Sequence, residues 1–142
     1  MAGYMTKLTG NVYEGEMRNG HTAAVENGVL MVPGTGENAG KLVMPTADTT
    51  STFLLKETCE IYDGIKAWRF TVTKLDAPYY LVENQFDIDD NGAYDKTTYS
   101  TAVGELLRSH PLHLGDEFVT TSVTGDLTVG TAYGVKADGS VG

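Results

Sequence analysis

The sequence predicts a single, mostly β domain, built as a small β-barrel or β-sandwich with one short helix. Short runs rich in valine, leucine, tyrosine, phenylalanine and threonine recur along the chain, and glycine, asparagine and aspartate separate them at turn-like intervals. The 142 residues are enough for one domain with a core and few for two. Hydrophobic residues make up 41% of the chain, which is typical of a globular protein.

Before residue 50 the pattern predicts an arm followed by short strands. We expect residues 1–9 to form a flexible N-terminal arm and residues 10–142 to form the single β-rich domain. Residues 10–17 predict a first strand. Residues 23–25 and 29–32 predict a hairpin, because the Asn-Gly pair at 27–28 suits a tight turn. Residues 41–44 predict another strand, which Pro45 ends.

The organising element is a long hairpin from Phe53 to Leu75. An Asp-Gly pair at 63–64 lies between two apolar runs, and glycine tolerates the positive φ that a type I′ turn requires. Apolar residues in the second run occur at every other position, so they share one face of a strand. This spacing predicts buried side chains at Leu55, Trp68, Phe70 and Val72.

Beyond the hairpin we expect a strand at 79–86, an acidic loop at 87–94 and one short helix near 101–109. Ser100 or Thr101 can cap that helix, and Glu105 early with Arg108 late suits the helix dipole. Its apolar stripe would be Val103, Leu106 and Leu107. His110-Pro111 would end it. Residues 117–123, 127–129 and 132–136 predict the last strands.

Charge and cysteine content exclude several functional classes. Ten lysines and arginines against nineteen acids give a formal net charge of −9, which disfavours binding to nucleic acid or to anionic membranes. No apolar run reaches the roughly 18 residues of a membrane helix, and the start lacks the apolar core of a signal peptide. Cys59 is the only cysteine, and Glu57 and Glu60 should raise its pKa, so we expect a small, inert hydrophobe.

The weak candidate for a metal site is an acidic loop that would bind calcium through Asp87, Asp89, Asn91 and Asp95. These residues follow the first part of an EF-hand loop, but Thr98 stands where that loop needs a bidentate glutamate. The alternative is a solvated turn. His110 and His113 could form a zinc pair only with a third ligand from elsewhere. We find no Gly-x-Ser-x-Gly elbow or phosphate-binding loop, so we expect no enzyme activity and no cofactor.

Several segments together resemble the decoration, or cement, proteins of tailed-bacteriophage heads. They are GNVYEG at 10–15, VENGV at 25–29, LGDEFV at 114–119 and YGV at 133–135. The resemblance implies a non-enzymatic virion protein, made in the host cytoplasm, that binds the outside of the assembled major-capsid-protein lattice and stabilises it. It also implies a homo-oligomer, with a trimer favoured, and an arm that contacts the capsid. The arm residues that would make this contact are Tyr4, Met5, Lys7 and Leu8.

Three other functions remain open from the sequence. A carbohydrate-binding β module would need exposed aromatic side chains on one face. The candidates for such a face are Tyr79, Tyr80, Tyr94, Tyr99 and Tyr133. A head–tail or tail-tube component should form rings or tubes by itself. A small enzyme is the remaining alternative, although paired carboxylates in an acidic chain do not by themselves indicate catalysis.

Overall fold

Strands make up almost all of the regular structure. The computed structural model describes residues 5–7, 15–46, 50–60, 66–83, 87–88, 94–95 and 100–142. Its only helical element within these ranges is a single 3-10 turn at Gly36–Asn38. The strands of the described residues are β1 Met5–Lys7, β2 Gly15–Asn19, β3 Val25–Glu26, β4 Leu30–Pro33, β5 Lys41–Val43, β6 Thr52–Glu60, β7 Lys66–Lys74, β8 Tyr80–Val82, β9 Asp87–Ile88, β10 Tyr94–Asp95, β11 Ser100–Thr101, β12 Leu106–Pro111, β13 Glu117–Thr120 and β14 Ala132–Tyr133.

The strands form a small closed barrel beside a five-stranded sheet. The barrel order is β12-β2-β5-β4-β8, and β8 closes it by pairing with β12. The sheet order is β1-β13-β7-β6-β14, with all neighbours antiparallel. Within the barrel only β2 and β5 are parallel. The predicted mostly β fold with a small barrel is therefore confirmed.

The long hairpin at the centre of the sheet is confirmed as β6 and β7. Leu55 faces Phe70, and then the register shifts, so that Glu57 faces Arg69 and Lys56 is the extra residue of a β-bulge. The turn at 61–65 lies outside the described residues. Leu55, Phe70 and Val72 are buried as predicted. Trp68 is only partly buried, and the ammonium nitrogen of Lys66 lies 5.3 Å from the centre of its ring.

Two apolar clusters form the core, one between barrel and sheet and one inside the barrel. The first contains Phe53, Phe118 and Tyr79, whose rings make edge-on contacts at 5.8 and 6.1 Å from Phe53. Strand β4 contributes side chains to both clusters, because Leu30 packs in the first and Met31 in the second. A strand buried on both faces reads as a continuous apolar run, as VLMV does at 29–32.

The predicted helix at 101–109 is wrong. Thr101 belongs to β11, and β12 begins at Leu106 and pairs with β2 on one side and β8 on the other. Gly104 between them has φ +79°, which no α-helix contains. Leu106 is exposed while Leu107 is buried, which is the period of a strand. Barrel closure supplies hydrogen bonds on both sides of β12, and these outweigh its local helical propensity.

The expected hairpin around 27–28 is also wrong, although its turn exists. Gly28 has φ +92°, as a tight turn requires. The flanking strands do not pair with each other, because β3 pairs with β11 and β4 pairs with β5 and β8. The predicted strand at 127–129 is absent as well. That stretch is a loop, in which the Tyr133 hydroxyl accepts a hydrogen bond from the Thr128 backbone N–H.

The remaining predicted strands are found with shifted ends. The strand expected at 41–44 is β5, and those expected at 117–123 and 132–136 are shorter as β13 and β14. The strand expected at 79–86 contains β8, and residues 84–86 lie outside the described residues. The strand expected at 10–17 appears as β2, and residues 8–14 lie outside the described residues. Among the described residues no helix is long and apolar enough to cross a membrane.

Candidate functional site

The N-terminal segment expected to contact a partner contains β1, which lies at one edge of the five-stranded sheet. Its backbone pairs with β13, with Thr6 opposite Val119. No described strand pairs with the other side of β1. Met5 and Lys7 therefore have a defined backbone position, whereas Tyr4 and Leu8 lie outside the described residues. The arm boundary at residue 9 and the partner contacts stay predictions.

The proposed calcium loop is described only at its two ends. Strands β9 and β10 pair antiparallel, with Asp87 opposite Asp95. This pairing places the backbones of the first and last predicted ligands side by side. Asp89 and Asn91 lie outside the described residues. In the part of the chain that the structure describes, no group of three or more histidine, cysteine or acidic side chains could hold a metal. The calcium site therefore stays a prediction.

The two histidines do not form a pair. His110 lies in β12, is only 3% exposed, and its Nε2 is 3.2 Å from Glu83 Oε1. Its Nδ1 is buried and has no hydrogen-bond partner among the described residues. His113 is exposed, and its backbone N–H donates to Asp116. Their different environments give no support to a shared zinc ion.

Cys59 lies in a small cleft of about 310 Å³ with Thr58, Glu60 and Lys66. Burial raises the pKa of its thiol, and the nearby Glu57 raises it further, while Arg69 opposes both. The predicted direction is therefore confirmed, and the physical cause is mainly burial. A thiol with a raised pKa is a poor nucleophile at neutral pH.

The side chain of Arg69 on β7 joins three strands of the sheet. Its guanidinium contacts Glu57 on β6 at 3.1 Å and Glu117 on β13 at 2.7 Å. The hydrogen bonds that Arg69 donates to the two carboxylates, the one to Glu57 first, raise the Arg69 pKa further above its already basic value. These groups cross-link the outer face of the sheet, so they are engaged structurally.

The tyrosines do not assemble an aromatic platform within the described residues. Tyr79 is buried in the core at 2% exposure. Tyr80 is half-buried against the barrel cluster, and the half-buried Tyr133 uses its hydroxyl to hold the loop at Thr128. The Tyr94 side chain and all of Tyr99 lie outside the described residues.

A shallow apolar groove of about 360 Å³ runs past Val32, Met44, Pro78 and Tyr79. Its one acid is Asp76. That carboxylate accepts hydrogen bonds from the Thr50 backbone N–H at 2.7 Å and from the Thr50 and Ser51 hydroxyls at 2.6 Å. Asp76 therefore fixes the chain before β6 through these hydrogen bonds.

A cleft of about 650 Å³ combines an apolar floor with a polar rim. Val25 and Val29 are buried beneath it, and the half-buried Met44 forms one side. The titratable residues on its rim are His21, Glu26 and Asp138. We call it the rim-acid cleft.

Hydrogen bonds fix three segments that adjoin the residues lining the rim-acid cleft. The buried Asn19 side chain donates to Ala23 O at 3.1 Å and accepts from the His21 N–H at 2.9 Å, which fixes the loop that carries His21. The Thr120 hydroxyl donates to Gly28 O at 2.8 Å. On the far wall, the Leu30 N–H donates to Gly139 O at 2.8 Å.

Asp138 is charged within this rim. The Ser140 hydroxyl donates to its carboxylate at 2.6 Å, and this bond is the main cause that lowers the Asp138 pKa. The Ser140 backbone N–H and nearby Lys136 act in the same direction, and burial opposes them. The carboxylate is therefore ionised at neutral pH.

Comparison with protein-family models, curated proteins and solved structures finds no match for this chain.

Sequence reasoning missed the rim-acid cleft because its walls are distant in the chain. Glu26 lies in β3, whereas Asp138 belongs to the loop that follows β14. Neither residue carries a motif. The one local signal is the Asp-Gly pair at 138–139. Gly139 has φ +82°, and a Cβ there would lie 2.8 Å from Leu30 O, so this position favours glycine.

Proposed function

We propose that this protein is a bacteriophage head decoration protein, which binds the outside of an assembled capsid lattice without catalysing a reaction. The observation that supports the proposal best is the position of β1. This strand belongs to the predicted N-terminal arm and forms the edge of the five-stranded sheet. An edge strand can add a further strand from a partner through backbone hydrogen bonds.

The surface of the domain is consistent with this role. Among the residues that the structure describes, large apolar side chains are exposed at Val103, Leu106, Leu114 and Val129. The net charge of −9 keeps crowded copies soluble and apart from nucleic acid. Many copies that each make small contacts on a lattice gain avidity, so no single large interface is needed.

Purified virions of the phage that encodes the chain test the proposal. We expect the chain to co-sediment with intact heads and to be labelled on their outer surface by antibody. Virions that contain no copy of the chain would contradict it. Copies found only at the tail or the head–tail junction would instead support the tail-tube or connector alternative.

A second experiment tests the role of β1. We expect a variant that lacks residues 1–7 to lose binding to emptied heads while its barrel stays folded. The matched control is Glu37→Gln, which keeps β1 and the exposed apolar side chains and should bind fully. Full binding by the truncated chain would contradict a contact through the arm.

A further inference from the structure

The rim-acid cleft offers two different kinds of surface to one ligand. Its floor is apolar at Val25, Val29 and Met44, and its rim carries the carboxylates of Glu26 and Asp138. A purely apolar ligand would leave two charged groups beside it, and a small metal ion would leave the floor uncovered. A ligand with an apolar stem and a cationic end matches both.

We propose that the rim-acid cleft binds a lysine or arginine side chain presented by a partner protein. The methylene stem would lie on the apolar floor, and the cationic group would lie between the two carboxylates. Long basic side chains bury their stems in this way while the charge remains near water. Ion pairs at such a half-open site are weak singly but define which surface docks.

The charge around the cleft favours a cationic ligand. Asp138 is held ionised by Ser140, and Glu26 is exposed on the rim. His21 lies on the same rim, and Lys136 acts on Asp138 as a nearby positive charge. The chain as a whole carries an excess of nine negative charges, which steers positively charged partners towards it.

The cleft is preformed, so binding does not have to order its walls. Asn19, Thr120 and the Leu30–Gly139 hydrogen bond fix three separate segments around it. A preorganised site spends less of its binding energy on immobilising its own groups. This site extends the proposed function, because it identifies the surface of the domain that binds a basic side chain of the partner. Only the identity of that partner rests on the proposed function.

A titration with Nα-acetyl-lysine N-methylamide, which keeps the side-chain ammonium group, tests the site without any capsid. Binding is followed by the chemical shifts of the protein's amide groups in NMR spectra. We expect saturable shifts at residues 24–29, 44, 122 and 137–138. The comparison probe is acetyl-norleucine methylamide, which keeps the apolar stem and lacks the ammonium group. We expect it to bind about fivefold more weakly. Equal binding of the two probes, or lysine-induced shifts spread over the whole acidic surface, would overturn the proposal.

Two double variants distinguish binding at the cleft from attraction by the net charge of the chain. Glu26→Gln with Asp138→Asn should weaken lysine binding about fivefold, and the asparagine can still accept the Ser140 hydrogen bonds. Glu37→Gln with Glu105→Gln changes the net charge equally at residues that do not line the cleft, and should leave the affinity unchanged. The same loss in both variants would overturn the site.

Glu26→Gln alone keeps the test valid if the double variant fails to fold, because it alters one exposed side chain. Failure of lysine binding would leave the virion experiments unaffected. Absence of the chain from virions would equally leave the lysine titration unaffected. The two proposals therefore fail separately.

Discussion

At the scale of single residues, the direction in which a side chain points decides its chemistry. Glu57 and Glu60 both lie near Cys59 in the sequence, and both were expected to raise its pKa. Burial raises the Cys59 pKa most, and of the two acids only Glu57 raises it further. Residues two apart in a strand share a face, so Glu57 lies on the Cys59 side of β6 and Glu60 on the other.

Glu57→Gln should lower the Cys59 pKa, because it removes a negative charge that disfavours the thiolate while Arg69 remains. Alkylation by iodoacetamide, measured against pH, should therefore become faster at mildly alkaline pH. The control is Glu60→Gln, which should leave the rate profile unchanged. An equal acceleration by both variants would mean that strand alternation does not separate the two acids.

At the scale of elements, what could be predicted was local. The hairpin of β6 and β7 follows from a turn signal and a period-two pattern within one short stretch, and its buried residues Phe70 and Val72 were correctly placed. The segment at 101–109 has helical caps and spacing, yet it becomes β12. Its partners β2 and β8 lie far away in sequence, so no local pattern contains the hydrogen bonds that decide its conformation.

The loop after β14 shows how tightly one element can be fixed by another. Gly139 has φ +82°, and a Cβ there would lie 2.8 Å from Leu30 O and 3.1 Å from Val29 Cβ. Gly139→Ala should therefore lower the free energy of unfolding by about 1–2 kcal/mol through backbone strain. Overpacking against β4 should lower it by about 1–3 kcal/mol more. Urea denaturation followed by tryptophan fluorescence measures this loss.

Gly125→Ala is the matched control for that loop. Gly125 has φ +86°, and a Cβ there would meet no atom within 4 Å, so only the backbone strain of about 1–2 kcal/mol applies. Gly139→Ala should be clearly the more destabilising of the two. Equal losses would show that the loop can move away from β4 at no cost, and that the wall of the rim-acid cleft is not rigid.

At the scale of the whole molecule, composition was sufficient for the fold class but not for the topology. Turn spacing and β-rich runs indicate a small barrel or sandwich, and a barrel is present. Strands β2 and β5 pair in parallel, and β3 lines one cleft together with residues 137–138. In both cases the segments show no complementary sequence pattern. The rim-acid cleft exists only because of those long-range contacts, which explains why no sequence motif indicated it.

The assembly of several copies belongs to the same scale. Val103 and Leu106 are 55% and 47% exposed around one turn of the barrel wall, and paired exposed apolar side chains are typical of interaction surfaces. We predict a cyclic trimer that covers them, because closed symmetry buries the same patch on every copy. Size-exclusion chromatography with light scattering should give the mass of three chains. Leu106→Ser should reduce that mass, whereas Val129→Ser should not, because Val129 precedes Gly130, whose N–H donates to Leu55 O on the five-stranded sheet. A single-chain mass for the unaltered protein at every concentration would rule out the trimer, and equal effects of both variants would place the interface elsewhere.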